Sequence, residues 1–105
     1  MKEFKLKQLF DLQMGKTPKR KESKYWKNGV NDWISISDLS NSRKYINQTS
    51  EKITDIAVRE SGIKVIPKNT VVMSFKLSIG KVAITEHDMY SNEAVMAFHD
   101  RGIET

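Results

Sequence analysis

Thr70–Thr85, TVVMSFKLSIGKVAIT, sets two β-rich runs, Thr70–Phe75 and Lys81–Thr85, on either side of Lys76–Gly80. β-Branched and aromatic side chains suit a pleated, half-buried surface, so two such runs around a glycine-ended break predict a hairpin with a long tip. Working outward, Ile63–Asn69 (IKVIPKN) reads as a short strand closed by a turn. Asn92–Phe98 reads as a final strand, with the start of a helix as the alternative that Ala94, Val95, Met96 and Ala97 permit. Further upstream, Thr54 before Asp55 is a helix N-cap signal, Ile53, Ile56 and Ala57 follow helical spacing, and Ser61–Gly62 stops the helix. Phe10–Met14 alternates as a half-buried strand does. Asp32–Ser37 (DWISIS) reads as a strand with Trp33 and Ser35 on one face and Ile34 and Ile36 on the other, followed by a turn over Asp38–Ser42. These elements predict an α+β domain: a small, mainly antiparallel β-sheet core with one or two short helices and its loops gathered at one end.

At 105 residues the chain has room for one domain and one core. Hydrophobic residues at 38% and charged residues at 30% fall in the globular range. The net charge of +5 is unevenly placed. Met1–Lys27 holds nine Lys or Arg against three Asp or Glu, whereas Asn28–Thr105 holds nine against ten. Such asymmetry predicts one positive face and a localised anionic partner. The absence of cysteine excludes a disulfide framework and thiolate metal sites, and it fits a cytoplasmic setting. No apolar run approaches membrane-spanning length, so no membrane partner is expected, and Asn47-Gln48-Thr49 is a glycosylation sequon in form only.

The cations concentrate in a loop between Gly15 and the pair Tyr25-Trp26. Thr17-Pro18 disfavours helix there, and Lys19–Lys24 offers nothing to bury. Tyr25 and Trp26 are expected to pin the loop's far end to the body of the domain, ahead of a turn at Asn28-Gly29.

Catalytic constellations are weak. His87-Asp88 and His99-Asp100 lack further well-spaced ligands and read as exposed turn residues. Glu22-Ser23-Lys24 has the E-x-K form of some nucleases, but it sits in a loop without a strand to hold a metal ligand. Neither a phosphate-cradling glycine motif nor a Pro-Pro-Tyr or Pro-Pro-Phe methyltransferase motif occurs. No cofactor and no catalytic residue is expected.

A series of blocks then carries a resemblance. It runs Leu6, Gly15–Pro18 (GKTP), Tyr25-Trp26, Trp33–Leu39 (WISISDL), Ile53-Thr54, Ile66-Pro67, Val72–Phe75 (VMSF), Ile79–Ile84 (IGKVAI) and Asn92–Ala94 (NEA). In this order it resembles the target recognition domain of type I restriction-modification DNA specificity subunits, over nearly the whole chain. The resemblance implies sequence-specific recognition of double-stranded DNA, without catalysis, on behalf of methyltransferase and restriction subunits. It further implies that residues 1–105 are a single, incomplete recognition domain without the spacer helix that follows such domains. The ending Asp100–Thr105, directly after a core-like run, suits that expectation.

For a DNA reader, Lys16, Lys19, Arg20, Lys21, Lys24 and Lys27 would lie near phosphates. Arg20 is the first choice for a bidentate guanine contact, with Thr17 and Ser35 as secondary contacts. Lys76, Ser78 and Lys81 at the hairpin tip would form a second edge, with Gly80 allowing close approach. Trp26 and Trp33 read as core or loop anchors, Tyr25 or Tyr90 as residues that could stack on a base, and Asp38 as a turn-closing residue. The alternative is a truncated interaction module that pairs with specificity or methyltransferase subunits, or with itself, through an uncovered edge near Asn92–Phe98.

Overall fold

Two sheets share the elements of a computed structural model that describes residues 10–74 and 81–100. Strands β1 (Phe10–Met14), β3 (Tyr45–Ile46), β5 (Val71–Ser74), β6 (Val82–Thr85) and β8 (Val95–Asp100) form a five-stranded sheet in the order β1-β8-β5-β6-β3. Strands β2 (Asn31–Ile34), β4 (Glu51–Ile53) and β7 (Tyr90–Ser91) form a three-stranded sheet in the order β4-β2-β7. The β2–β7 and β3–β6 pairs are parallel and the remaining pairs antiparallel. Among the described residues there are three short helices, α1 (Ser23–Trp26), α2 (Ile36–Ser40) and α3 (Asp55–Ser61). This is the expected α+β fold with one more helix than the sequence suggested.

The hairpin is real: β5 and β6 pair antiparallel from Val71↔Ile84 to Met73↔Val82. Its tip at 75–80, and with it Lys76, Ser78 and Gly80, lies outside the described residues, as do Leu6 and the ending 101–105. The final strand is also real, but its setting differs from expectation. β8 pairs with β1 on one side and β5 on the other, so it is an interior strand. The strand begins at Val95, not Asn92, and its backbone groups are already in ladders, so it offers no uncovered edge. β1 supplies the closing partner from the opposite end of the sequence.

Three local readings are corrected. Asp32–Ser37 is strand only to Ile34, because Ser35 turns the chain into α2 through a capping box: Asp38 N donates to Ser35 Oγ while Ser35 N donates to Asp38 Oδ2. Asp38–Ser42 is accordingly helix and helix end. Ile63–Asn69 contributes only an isolated bridge, Ile66↔Met89, although Asn69 does turn the chain with φ 65°. The helix α3 agrees with its signals, with Thr54 Oγ1 accepting from Ala57 N and Gly62 taking φ 73° at the C-terminus.

Two buried clusters replace the single core expected. Ile34, Leu39, Ile46, Ile66, Val72, Ala83, Met89, Val95 and Ala97 form one. Trp33, Ile53, Ala57 and Ile63 form the other, with Tyr25, Trp26, Val58 and Tyr90 packed against it. Successive residues of a strand point to opposite faces, so Trp33 enters one cluster and Ile34 the other. β2 is thereby buried on both faces and ties the two sheets together.

Candidate nucleic-acid interface

The basic loop after β1 is held by its backbone. Lys16 N donates to Ser91 O at 3.0 Å, and a Cβ on Gly15 would come within 1.8 Å of that same oxygen. Only glycine permits this approach. Trp33 Nε1 donates to Lys16 O at 2.9 Å and Trp26 Nε1 to Lys19 O at 3.1 Å. The two indoles meet edge to face, with centroids 5.0 Å apart and planes at 85°. Both tryptophans are anchors, as their types suggested, and each uses its one N–H to fix a loop carbonyl.

Arg20 closes the clamp. Its guanidinium lies 4.2 Å from the Trp26 ring centroid and 5.0 Å from that of Trp33, and it forks onto both carboxylate oxygens of Glu51. The hydrogen bond to Glu51 raises the Arg20 pKa, and the charge of Glu51 adds to the effect. The side chain is 53% exposed, yet its planar donor face is occupied. A base contact through Arg20 requires that pair to open.

The other expected contacts divide. Lys19 and Lys21 are exposed and make no side-chain bond to another described residue, as a phosphate-binding pair requires. Lys16 Nζ donates to Ser61 O, Thr17 Oγ1 donates to Glu93 Oε1, and Ser35 is the cap of α2. Lys24 pairs with Glu60 at 3.2 Å, which raises its pKa. Glu60 is held below its ordinary value by hydrogen bonds from Tyr25 Oη and from Lys24. Tyr25 and Tyr90, the candidates for base stacking, pack instead on the Trp33 cluster. Lys81 is exposed immediately before β6.

Sequence reasoning passed over the segment Asn41–Ser50. It lines an open groove of about 610 Å³ together with Asp38. Arg43 and Gln48 in that groove are exposed and have no side-chain partner among the described residues. The signal was faint: one arginine outside the cation-rich stretch and a glutamine inside a sequon.

The histidine pairs are not turn residues alike. His87 is exposed and contacts the buried Asp32 at 2.6 Å, whereas His99 lies on β8, half-buried, 2.8 Å from Gln13 Oε1. Among the described residues no three His, Asp or Glu side chains converge as a metal site.

A family model described as "Type I restriction modification DNA specificity domain" matches residues 1–104. This chain belongs to that family. Curated relatives of the specificity domain include the type I restriction enzyme MjaIX specificity subunit of Methanocaldococcus jannaschii, 32% identical over 90 residues, covering 85% of this chain and 21% of that protein. The type I restriction enzyme EcoprrI specificity subunit of Escherichia coli is 29% identical over 79 residues, or 75% of this chain and 19% of that protein. The chain thus spans about a fifth of the length of these relatives. A solved chain described under "Structural basis underlying complex assembly and conformational transition of the type I R-M system" superposes with a TM-score of 0.64. It is 15% identical, and the match covers 92% of this chain and 23% of that one. The specificity domain therefore shares the fold of the matched part of that chain.

Proposed function

We propose that this specificity domain recognises double-stranded DNA as part of a type I restriction-modification specificity subunit, and so directs methyltransferase and restriction subunits to their target. It acts by binding and positioning, in the cytoplasm, and the chemistry belongs to the other subunits. Residues 1–105 are read as one target recognition domain. The observation that carries this reading is the clamped basic loop in a chain of this family. A loop whose Lys16 and Lys19 carbonyls are fixed by Trp33 and Trp26 presents Lys19 and Lys21 on a backbone that has little entropy left to lose on binding. No helix among the described residues is long and apolar enough to cross a membrane. The interaction-module alternative loses its main support, because β8 is paired along both edges.

The test is DNA affinity across a salt series for the protein at its full natural length. Each phosphate-neutralising lysine contributes about 0.9 to the log–log salt slope. Changing Lys19 and Lys21 together to Ala should weaken binding to all sequences and lower the slope by about 1.8. Affinity and slope that stay at the unsubstituted values would sink the proposal. In the same preparation, the methyltransferase subunit should copurify with the protein.

A further inference from the structure

Base readout requires planar hydrogen-bonding ends that are both free and held in place. Three arginines fall within the described residues: Arg20, Arg43 and Arg59. Arg20 is forked onto Glu51 and lies over two indoles, and Arg59 sits in the last turn of α3 beside Glu60, whose pKa it helps to lower. Neither Arg59 nor Arg43 has a hydrogen-bond partner for its donor fork among the described residues, and of the two only Arg43 lines the groove.

The chain beyond Arg43 is anchored residue by residue, with one exception. Asn47 Nδ2 donates to Glu86 Oε1 at 2.7 Å. Thr49 Oγ1 accepts from Trp33 N and lies 3.0 Å from Oδ1 of the buried Asp32. Ser50 N donates to Asp38 Oδ1 at 3.0 Å, while the other oxygen of Asp38 accepts from the Ser35 amide in the capping box. Three carboxylates, from β2, from α2 and from the bend after β6, therefore fix positions 49, 50 and 47. Gln48, between them, is exposed and its amide is free among the described residues. Fixed neighbours around one free planar side chain are what a site needs if it is to discriminate by geometry.

The groove these residues line has the size of a small-molecule cleft but not its chemistry. Ile46 and Tyr45 are its apolar members, the remaining lining is polar, and Lys44 adds a second cation next to Arg43. A drug-sized ligand would need apolar walls, whereas a polyanion with hydrogen-bonding edges would not. The segment that lines the groove leads directly into Glu51, the partner of Arg20.

We propose that Arg43 and Gln48 make the sequence-discriminating base contacts of this domain. The proposal rests on the DNA-binding reading above. Arg43 would take the O6 and N7 of a guanine through its fork and Gln48 the N6 and N7 of an adenine. Lys19 and Lys21 then supply affinity without choice.

The experiment is selection from a randomised duplex pool at low salt, using the full natural-length protein and its Arg43→Lys, Gln48→Ala and Lys19→Ala/Lys21→Ala variants. Arg43→Lys keeps the charge and loses the fork, so discrimination at one base position should fall by about 5- to 150-fold while the salt slope is unchanged. Gln48→Ala should relax a second position by a similar factor. The paired lysine variant should enrich the same sites as the unsubstituted protein with weaker overall recovery. If Arg43→Lys and Gln48→Ala enrich the unsubstituted protein's sites undiminished, the base-contact assignment is wrong. If the lysine variant still behaves as expected in that case, the DNA-binding reading stands without it. If the unsubstituted protein enriches no site and binds no duplex, both fail together. Circular dichroism and thermal midpoints of the exposed-site variants should match those of the unsubstituted protein.

Discussion

The loop Gly15–Glu22, whose Arg20 pairs with Glu51, and the segment Asn41–Ser50 that runs into Glu51 are anchored in opposite ways. In the first, indole N–H groups from outside the loop grip its backbone carbonyls, and the loop's own arginine is locked into the clamp. In the second, the segment's own Asn47 and Thr49 side chains and the Ser50 amide are tied to carboxylates, while Arg43 and Gln48 stay free. The first holds more charge and the second holds more unused hydrogen-bonding capacity. A dense run of cations therefore locates an electrostatic surface without locating the groups that are available to discriminate. That distinction follows from the partners of each side chain, and those partners are distant in sequence.

The contrast breaks most visibly at Trp33. Trp33→Ala removes the centre of the second cluster and the N–H that holds Lys16 O, and should lower unfolding stability by about 3–5 kcal/mol in urea titrations. A midpoint that hardly moves would mean that the loop clamp and the cluster do not depend on this residue. Next in size, Asp38→Ala deletes a capping-box partner and the acceptor of the Ser50 amide, and should cost about 1–2 kcal/mol. Its companion readout is faster amide hydrogen exchange at Ser50, with little change at Lys16.

Arg20 offers a smaller and sharper test. Because the ion pair is about half exposed, solvent screening limits it, and the coupling energy from a cycle of Arg20→Ala and Glu51→Ala should not exceed about 1 kcal/mol. Stacking on two indoles adds about 0.5–1 kcal/mol, which should survive in Glu51→Ala and disappear in Arg20→Ala. Equal stability of the two single variants would remove the indoles from the account.

The smallest effect is a pH dependence. Glu60 has its pKa lowered in the folded chain, first by the Tyr25 hydroxyl and then by Lys24. The folded state thus favours the carboxylate, so this contribution is present above the ordinary value of 4.5 and is lost as pH falls through the lower folded value. Urea midpoints of the unsubstituted protein should decline over that acid window more steeply than those of Glu60→Gln. Parallel profiles would show that the Tyr25–Glu60–Lys24 contact does not register in stability.

Some elements were legible because their signals are local. The β-branched runs of the hairpin and the Thr54 and Gly62 caps depend on neighbours within a few residues, and each has the expected form. Phe10–Met14 is a strand as its alternation suggested, but not a half-buried one, since Leu12 and Met14 are exposed and Gln13 is the half-buried residue. The family blocks were legible for the same reason, since they are strings of sequence. β3 and β4 were missed because strands of two and three residues carry too few positions to show a period. The misreading of Ser35 has another cause. W-I-S-I-S alternates as a strand does, and the competing capping box is visible only in the pairing of Ser35 with Asp38.

By itself the sequence determined the class of fold, the family and the place of the cation-rich loop, because composition and short-range pattern suffice for these. Tertiary structure alone decided which cations are free, that β8 lies inside the sheet, and that Asn41–Ser50 is a groove. The physical reason is separation along the chain. Glu51 takes up Arg20 from 31 residues away, Glu86 holds Asn47 across 39, and β1 covers β8 from the far end of the chain. Propensity and patterning carry no information about such pairings, and which side chains remain free is what those pairings leave over.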